Sequence, residues 1–280
     1  MTECRATAGE ISAFAAYLQR EEKSGATVRK YVGDVQRFAD FAGERALNKE
    51  LVLAYKAWLE KTRAITGANA VLAAVNAFLR FLGLGDCCVR RFRVQRRAYC
   101  TAQRELTKAE YLRLVHAAER QENRRLCLLL QTICGTGIRV SELRYVTIEA
   151  VRLGEATVSC KSKTRKVFFV THLRKKLLRY AKEQGIKGGE IFVTAGGKSL
   201  HRSNIWREMK ALCHSAGVSP EKVFPHNLRH LFARTFYGIE KDIAKLADLL
   251  GHSSINTTRI YIATTGAEHR RKMENMHLIL

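Results

Sequence analysis

Over roughly the first 85 residues the chain repeats apolar side chains at steps of three and four, and no alternating strand pattern interrupts them. A period near 3.6 lays such residues along one face of an α-helix. Val28, Tyr31, Val35, Phe38 and Ala42 follow it between Ser24 and Gly43, with Thr27 as the expected cap. Ile11 to Leu18, Glu50 to Leu59 and Gly67 to Leu82 repeat the spacing. A one-sided helix is stable only when its apolar face is covered, so residues 1–89 are expected to form a small helical bundle.

From Arg90 to Arg104 there are six arginines (Arg90, Arg91, Arg93, Arg96, Arg97 and Arg104), no acidic residue and no apolar period. This stretch, residues 90–104, reads as a basic linker suited to following a phosphate backbone. Thr107-Lys-Ala-Glu110 then forms a capping box that opens a second unit, residues 105–280. Two β-prone runs, Ala156–Cys160 and Lys166–Val170, flank the polar turn Lys161–Arg165 and predict a hairpin with a basic tip. Helical spacing returns over Leu173–Gln184, Ser203–Ala216, Asn227–Phe236 and Ile239–Leu250, and again after Tyr261, with Ile191–Val193 as a further short strand.

Lys and Arg number 49 against 26 Asp and Glu, a formal net charge of +23 spread along the whole length. Self-repulsion on that scale points to a polyanionic partner. Between Ala156 and Lys182 nine basic residues occur without one acid, a face suited to a duplex. The eight cysteines form no C-x-x-C pair, and no signal peptide, lipidation motif or long apolar span is present. Reduced thiols, a cytoplasmic, nucleoid-associated location and no membrane partner are the expectation.

Four segments of the second unit set a residue suited to phosphate chemistry beside an apolar anchor. They are Gly135–Leu143 with Arg139, the hairpin tip with Lys161, His226–His230 with Arg229, and Leu250–Tyr261 with His252. Arg139 pairing with Glu142, His226 capping the helix after Pro225, and Tyr261 packing as a half-buried aromatic would each account for one segment alone. His226 and His230 stand four apart, the spacing of a zinc pair, but Asn227 follows where a zincin needs glutamate. No metal and no cofactor is expected.

Together and in this order, the four segments resemble the tyrosine recombinase/integrase family, in its two-domain Xer-like form. The resemblance implies a mainly α fold, that of DNA breaking-rejoining enzymes. A SAM-like helical core-binding domain would precede a mostly α catalytic domain with a small β-hairpin. It also implies roles that fit the chemistry. Attack on a phosphodiester gathers negative charge on the non-bridging oxygens, which Arg139 and Arg229 would clamp through charge-assisted hydrogen bonds. Tyr261 would be the nucleophile and form a 3′-phosphotyrosyl intermediate. Lys161 would protonate the leaving 5′ oxygen, although Cys160 and Ser162 replace the family's flanking glycines, which leaves Lys163 as the alternative. His226 would assist proton transfer and His252 would donate to the phosphate. Glu142 would hold Arg139, and His230 would support the site or pack its helix. Arg90, Arg91, Arg93, Arg96, Arg97, Lys163 and Arg165 are candidates for contact with the DNA backbone.

The implied partner is double-stranded DNA with a specific core site. Four protomers would engage two duplexes by exchanging the tail, a helix over Ala267–Met276 with an apolar end, while docking of that tail on its own domain stays open. So does the need for a second recombinase or accessory factor. The length leaves no room for an additional amino-terminal arm-binding domain. Integration or excision, inversion and dimer resolution are not distinguished. A type IB topoisomerase shares the chemistry, and a DNA-binding regulator that lost cleavage shares the fold.

Overall fold

The computed structural model describes residues 4–93, 105–160, 163–262 and 274–275. The chain divides into two compact units between residues 96 and 97. In the first, helices α1 (Ala8–Arg20), α2 (Gly25–Ala42), α3 (Lys49–Thr62) and α4 (Ile65–Phe81) close around Phe14, Phe38, Tyr55 and Phe78, each at most 1% exposed. Phe14 meets Phe78 edge-on at 5.3 Å between ring centroids, the arrangement that aromatic quadrupoles favour. The expected bundle is therefore present. One boundary differs: α2 is capped by Ser24, whose Oγ accepts from the Thr27 backbone N–H at 3.3 Å. The apolar period begins only at Val28 and hides a first turn with no residue to bury.

Arg90–Phe92 is not a free connector. Asn76 brackets Val89, donating Nδ2 to its carbonyl at 2.8 Å and accepting its N–H at 3.0 Å, and Asn69 does the same for Phe92 at 3.0 and 2.8 Å. Two asparagines seven positions apart on α4 thus strap an extended segment to the first unit, leaving Arg90, Arg91 and Arg93 exposed. Arg96 and Arg97 lie outside the described residues.

The second unit opens with α5 (Lys108–Arg120), which carries the Thr107–Glu110 capping box. It continues through α6 (Arg124–Thr136), a 3-10 turn at Val140–Tyr145 and α7 (Ile148–Leu153) to an antiparallel hairpin of β1 (Glu155–Cys160) and β2 (Lys163–Phe168). α8 (Thr171–Glu183), α9 (Arg202–Ala216), α10 (Pro225–Glu240), α11 (Ile243–Leu250) and α12 (Ile255–Ile262) follow. The hairpin register pairs Cys160 with Lys163 and Val158 with Arg165, so β2 starts three residues earlier than β-propensity indicates. Polar strand residues at the tip read as turn because their side chains leave no apolar signal. Ile191–Val193 forms no strand: Glu190, just before it, bridges to Thr147, and Val193 itself makes a single bridge to Ser199. The pattern over Ile239–Leu250 is likewise split. Lys241 turns left-handed at φ 54° to end α10, and Asp242 then caps α11 by accepting from Ala244 and Lys245 N–H at 2.8 and 3.0 Å. Tyr261 lies inside α12 rather than ahead of a helix. The tail helix expected over 267–276 lies outside the described residues, apart from Glu274 and Asn275.

α6 ends where the site begins. Gly137 closes it in the left-handed region at φ 64°, and a Cβ there would stand 2.5 Å from the Phe232 ring of α10. Both backbone and space therefore require glycine. Gly137→Ala should lower the unfolding free energy by about 1–3 kcal/mol through overpacking and backbone strain. Urea titration followed by far-ultraviolet circular dichroism measures it, and an unchanged midpoint would contradict this packing.

Candidate active site

The αL turn at Gly137 releases the chain into Ile138, which is fully buried, and then Arg139, whose backbone starts the 3-10 turn. Glu142, one turn on, accepts from the Arg139 backbone N–H at 2.9 Å and from its Nη1 at 2.8 Å. The same carboxylate receives Arg165 Nη2 from β2 at 2.5 Å. With its side chain 3% exposed, Glu142 is a buried acid between two guanidinium groups, which offset its desolvation. It holds Arg139, as its position in the sequence suggests.

Arg229, on α10, is 1% exposed and, among the described residues, the largest side chain buried to that degree. Nη1 donates to the Gly137 carbonyl and Nη2 to the Leu250 carbonyl, the latter at 2.6 Å. These acceptors are the ends of α6 and α11, where carbonyls lack helical partners and the helix dipoles are negative. Burial, and then the neighbouring Arg139, pull the Arg229 pKa down to about 10, so it stays cationic at neutral pH. Its Nε is buried without a hydrogen-bond partner.

α11 ends in Gly251, again left-handed at φ 62°, and the turn presents His252. Arg229 Nη2 lies 3.1 Å from His252 Nε2, and Thr258 Oγ1 lies 2.9 Å from Nδ1. Arginine can only donate, so the network assigns Nε2 as acceptor and places the imidazole proton on Nδ1. Burial and then Arg229 and Arg139 lower the His252 pKa to about 4, in keeping with a neutral ring. Donation from Nε2 to a phosphate therefore requires His252 to gain a proton there.

Tyr261 is 6% exposed and enclosed by histidines. His230 stacks on its ring at 4.0 Å between centroids with 8° between planes, His226 meets it edge-on at 5.2 Å, and His252 lies tilted at 4.9 Å. Burial, then His226 and Arg229, push His230 down to about 4, and burial followed by Arg229 and Arg139 lowers His226. Among the described residues no group of three or more His, Cys, Asp or Glu is arranged to hold a metal ion.

Arg139, Glu142, Thr164, Arg165 and His252 line a cleft of about 300 Å³, together with Val158, Asp248 and Gly251. His252 is common to this cleft and to the Tyr261 cluster. Lys161 lies outside the described residues, as does the Lys163 side chain. Arg165, expected at an exposed tip, sits in β2 with its side chain 9% exposed and turned onto Glu142. Thr258, noted in the sequence only as part of the Thr257-Thr258 run before Tyr261 and given no role in the site, is fully buried against His252. It stands three positions before Tyr261, hence on the same helical face, and that spacing was the available signal.

A family model described as "Phage integrase family" matches residues 104–268, more than half of the chain. A second, "Phage integrase, N-terminal SAM-like domain", matches residues 11–83. The chain belongs to the phage integrase family of tyrosine recombinases. Tyrosine recombinase XerA of Thermococcus kodakarensis is 32% identical over 276 residues, covering 94% of this chain and 93% of that protein. Lambda integrase (residues 75–356), solved as a dimer on a COC′ core site, shares the fold with a TM-score of 0.74 at 18% identity, over 93% of this chain and 96% of its own. A lambda integrase tetramer on a Holliday junction aligns with a TM-score of 0.71 at 19% identity, over 90% of this chain and 76% of its own. Among the described residues of this tyrosine recombinase, no helix is long and apolar enough to cross a membrane.

The depressed histidines give this recombinase a pH signature. Folded, His230 and His252 bind protons only near pH 4, whereas in the unfolded chain they do so near 6.5. Between those values the unfolded state takes up more protons, so stability rises with pH through that window and falls as pH drops. Unfolding free energies from urea titration should be lower at pH 5 than at pH 7, with a smaller difference in His230→Phe. An equal difference in the variant would contradict the burial of His230 as a neutral ring.

Proposed function

We propose that this protein carries out site-specific DNA recombination through a covalent bond between Tyr261 and the DNA 3′ phosphate. The observation that carries the reading is the enclosure of Tyr261 by His226, His230 and His252 beside the buried cation Arg229. Nothing in packing alone calls for three histidines and a guanidinium around one phenol. A phosphate clamp with a nucleophile and proton carriers accounts for all of them.

In this mechanism Tyr261 Oη attacks phosphorus in line, its proton passing toward His226. The bond from Oη to phosphorus forms, the bond from phosphorus to the 5′ oxygen breaks, and Lys161 protonates that oxygen. Arg139 and Arg229 stabilise the charge on the non-bridging oxygens, with Arg229 Nε as its uncommitted donor. An arriving phosphate also offsets the cations that depress His252, which favours the proton at Nε2 that the ring needs in order to donate. The 5′ hydroxyl then attacks the phosphotyrosyl bond of a partner duplex, and transesterification conserves the bond energy.

Double-stranded DNA with a specific core site is the proposed partner, with the exposed Arg90, Arg91 and Arg93, together with Arg96 and Arg97, on its backbone. Four protomers would act on two duplexes, a reading supported by the lambda integrase tetramer. The tail is the proposed link between them, and the nucleoid of the cytoplasm the place of action.

Suicide substrates nicked near the scissile bond and bearing a site selected from genomic fragments test the chemistry in EDTA. A covalent adduct resolved on denaturing gels should disappear in Tyr261→Phe, and its persistence there would overturn the assignment. Arg139→Ala should slow adduct formation by a factor on the order of 10²–10³, the effect of removing one donor from a preorganised site. Lys161→Ala should be rescued by a 5′-bridging phosphorothiolate, whose sulfur leaves without a proton. Rescue of Lys163→Ala instead would move the general acid to that residue.

A further inference from the structure

Arg165 touches two parts of the site at once. It enters from β2, opposite Val158 in the hairpin register, and its Nη2 donates to Glu142 at 2.5 Å. The carboxylate it holds is the one that orients Arg139, through the 2.8 Å bond from Nη1. Its aliphatic stem lies so close over Gly251 that a Cβ there would come within 2.3 Å of Arg165 Cδ. Gly251, left-handed at φ 62°, begins the turn that carries His252. With a side chain 9% exposed, Arg165 cannot follow a DNA backbone as the exposed linker arginines can.

We propose that Arg165 is a positioning residue for the phosphate clamp: through Glu142 it sets the direction of the Arg139 guanidinium, and through Gly251 it fixes the turn bearing His252. The proposal rests on the Tyr261 reading. Arg139 reaches both carboxylate oxygens of Glu142, through Nη1 and its backbone N–H. Arg165 Nη2 ties the second of those oxygens to β2, so the carboxylate is held from outside the Arg139 turn as well as within it. Arg139 then meets the phosphate preorganised, with no reorientation left for the transition state. Lysine in place of Arg165 would keep the charge and an aliphatic stem over Gly251 but lose the planar fork.

The test is single-turnover adduct formation at saturating DNA, comparing the full-length wild type with Arg165→Gln on three suicide substrates. Their scissile groups are a phosphate, a methylphosphonate and a 5′-bridging phosphorothiolate. Wild-type adduct on the phosphate, absent in Tyr261→Phe, establishes the underlying reading first, so its failure is seen separately. Arg165→Gln should bind DNA within about twofold of wild type yet form adduct on the order of 10²-fold more slowly on the phosphate. The methylphosphonate replaces one charged oxygen with methyl and leans less on the clamp, so there the defect should shrink below about tenfold. The phosphorothiolate should leave the defect in place. Repair by the phosphorothiolate would overturn the proposal in favour of a role in placing the hairpin acid. A rate loss matched by lost affinity would make Arg165 a DNA contact, and an unchanged rate would also overturn the proposal. Should Arg165→Gln not fold, Arg165→Lys is read by the same pattern. Where both variants fold, Glu142→Gln combined with Arg165→Gln should be less slow than the product of the two single losses, because the two share one carboxylate; fully multiplicative losses would contradict it.

Discussion

A guanidinium removed from water has to be met by acceptors, and in this protein the acceptors come from the ends of helices. Arg229 donates to the Gly137 carbonyl at the end of α6 and to the Leu250 carbonyl at the end of α11. Each helix end is turned by a left-handed glycine, Gly137 or Gly251, so its carbonyls point back toward the arginine. The same glycines release the chain toward Arg139 and His252. One buried cation therefore fixes where two further phosphate-seeking side chains emerge. Most of the site geometry depends on this junction, which also explains how so large a charged side chain can be 1% exposed.

The electrostatics of the resting site follow from it. Arg139, Arg165 and Arg229 converge near His226 and His252, and Glu142 answers two of the three guanidinium groups. The excess of cations, added to burial, keeps the histidines neutral. Such a site is short of negative charge. A phosphodiester supplies it, and in doing so relaxes the field that holds protons off His252. Binding of the substrate and readiness of His252 to donate are thereby linked through charge, over the effect of burial.

Helical periodicity and the order of the four motifs made the architecture legible in the sequence, and named the candidate site residues. Motif spacing put Arg139, Arg229, His252 and Tyr261 on one list, and the fold places Arg229, His252 and Tyr261 in one cluster. Arg139 joins it through the cleft shared with His252. What remained hidden depended on contacts distant along the chain. Arg165 read as a basic tip residue because one strand pattern cannot reveal that Glu142, 23 positions earlier, turns it inward. Asn69 and Asn76 carried no signal because bracketing a backbone needs only an amide on the right helical face. The boundary at Lys241 was readable through Asp242, a capping residue, but apolar spacing ran across it and prevailed. His252 looked like a ready donor, and only the Arg229 and Thr258 contacts show that its resting tautomer accepts at Nε2.

The central claim is that this junction exists to present Tyr261 to a phosphodiester held by arginines. The most direct measurement is mass spectrometry of the protein–DNA adduct after digestion with nuclease and protease. The account predicts a nucleotide joined through its 3′ phosphate to the peptide containing Tyr261, with fragmentation placing the mass on that side chain. A nucleotide on another residue, or a linkage to the DNA 5′ end, would contradict it.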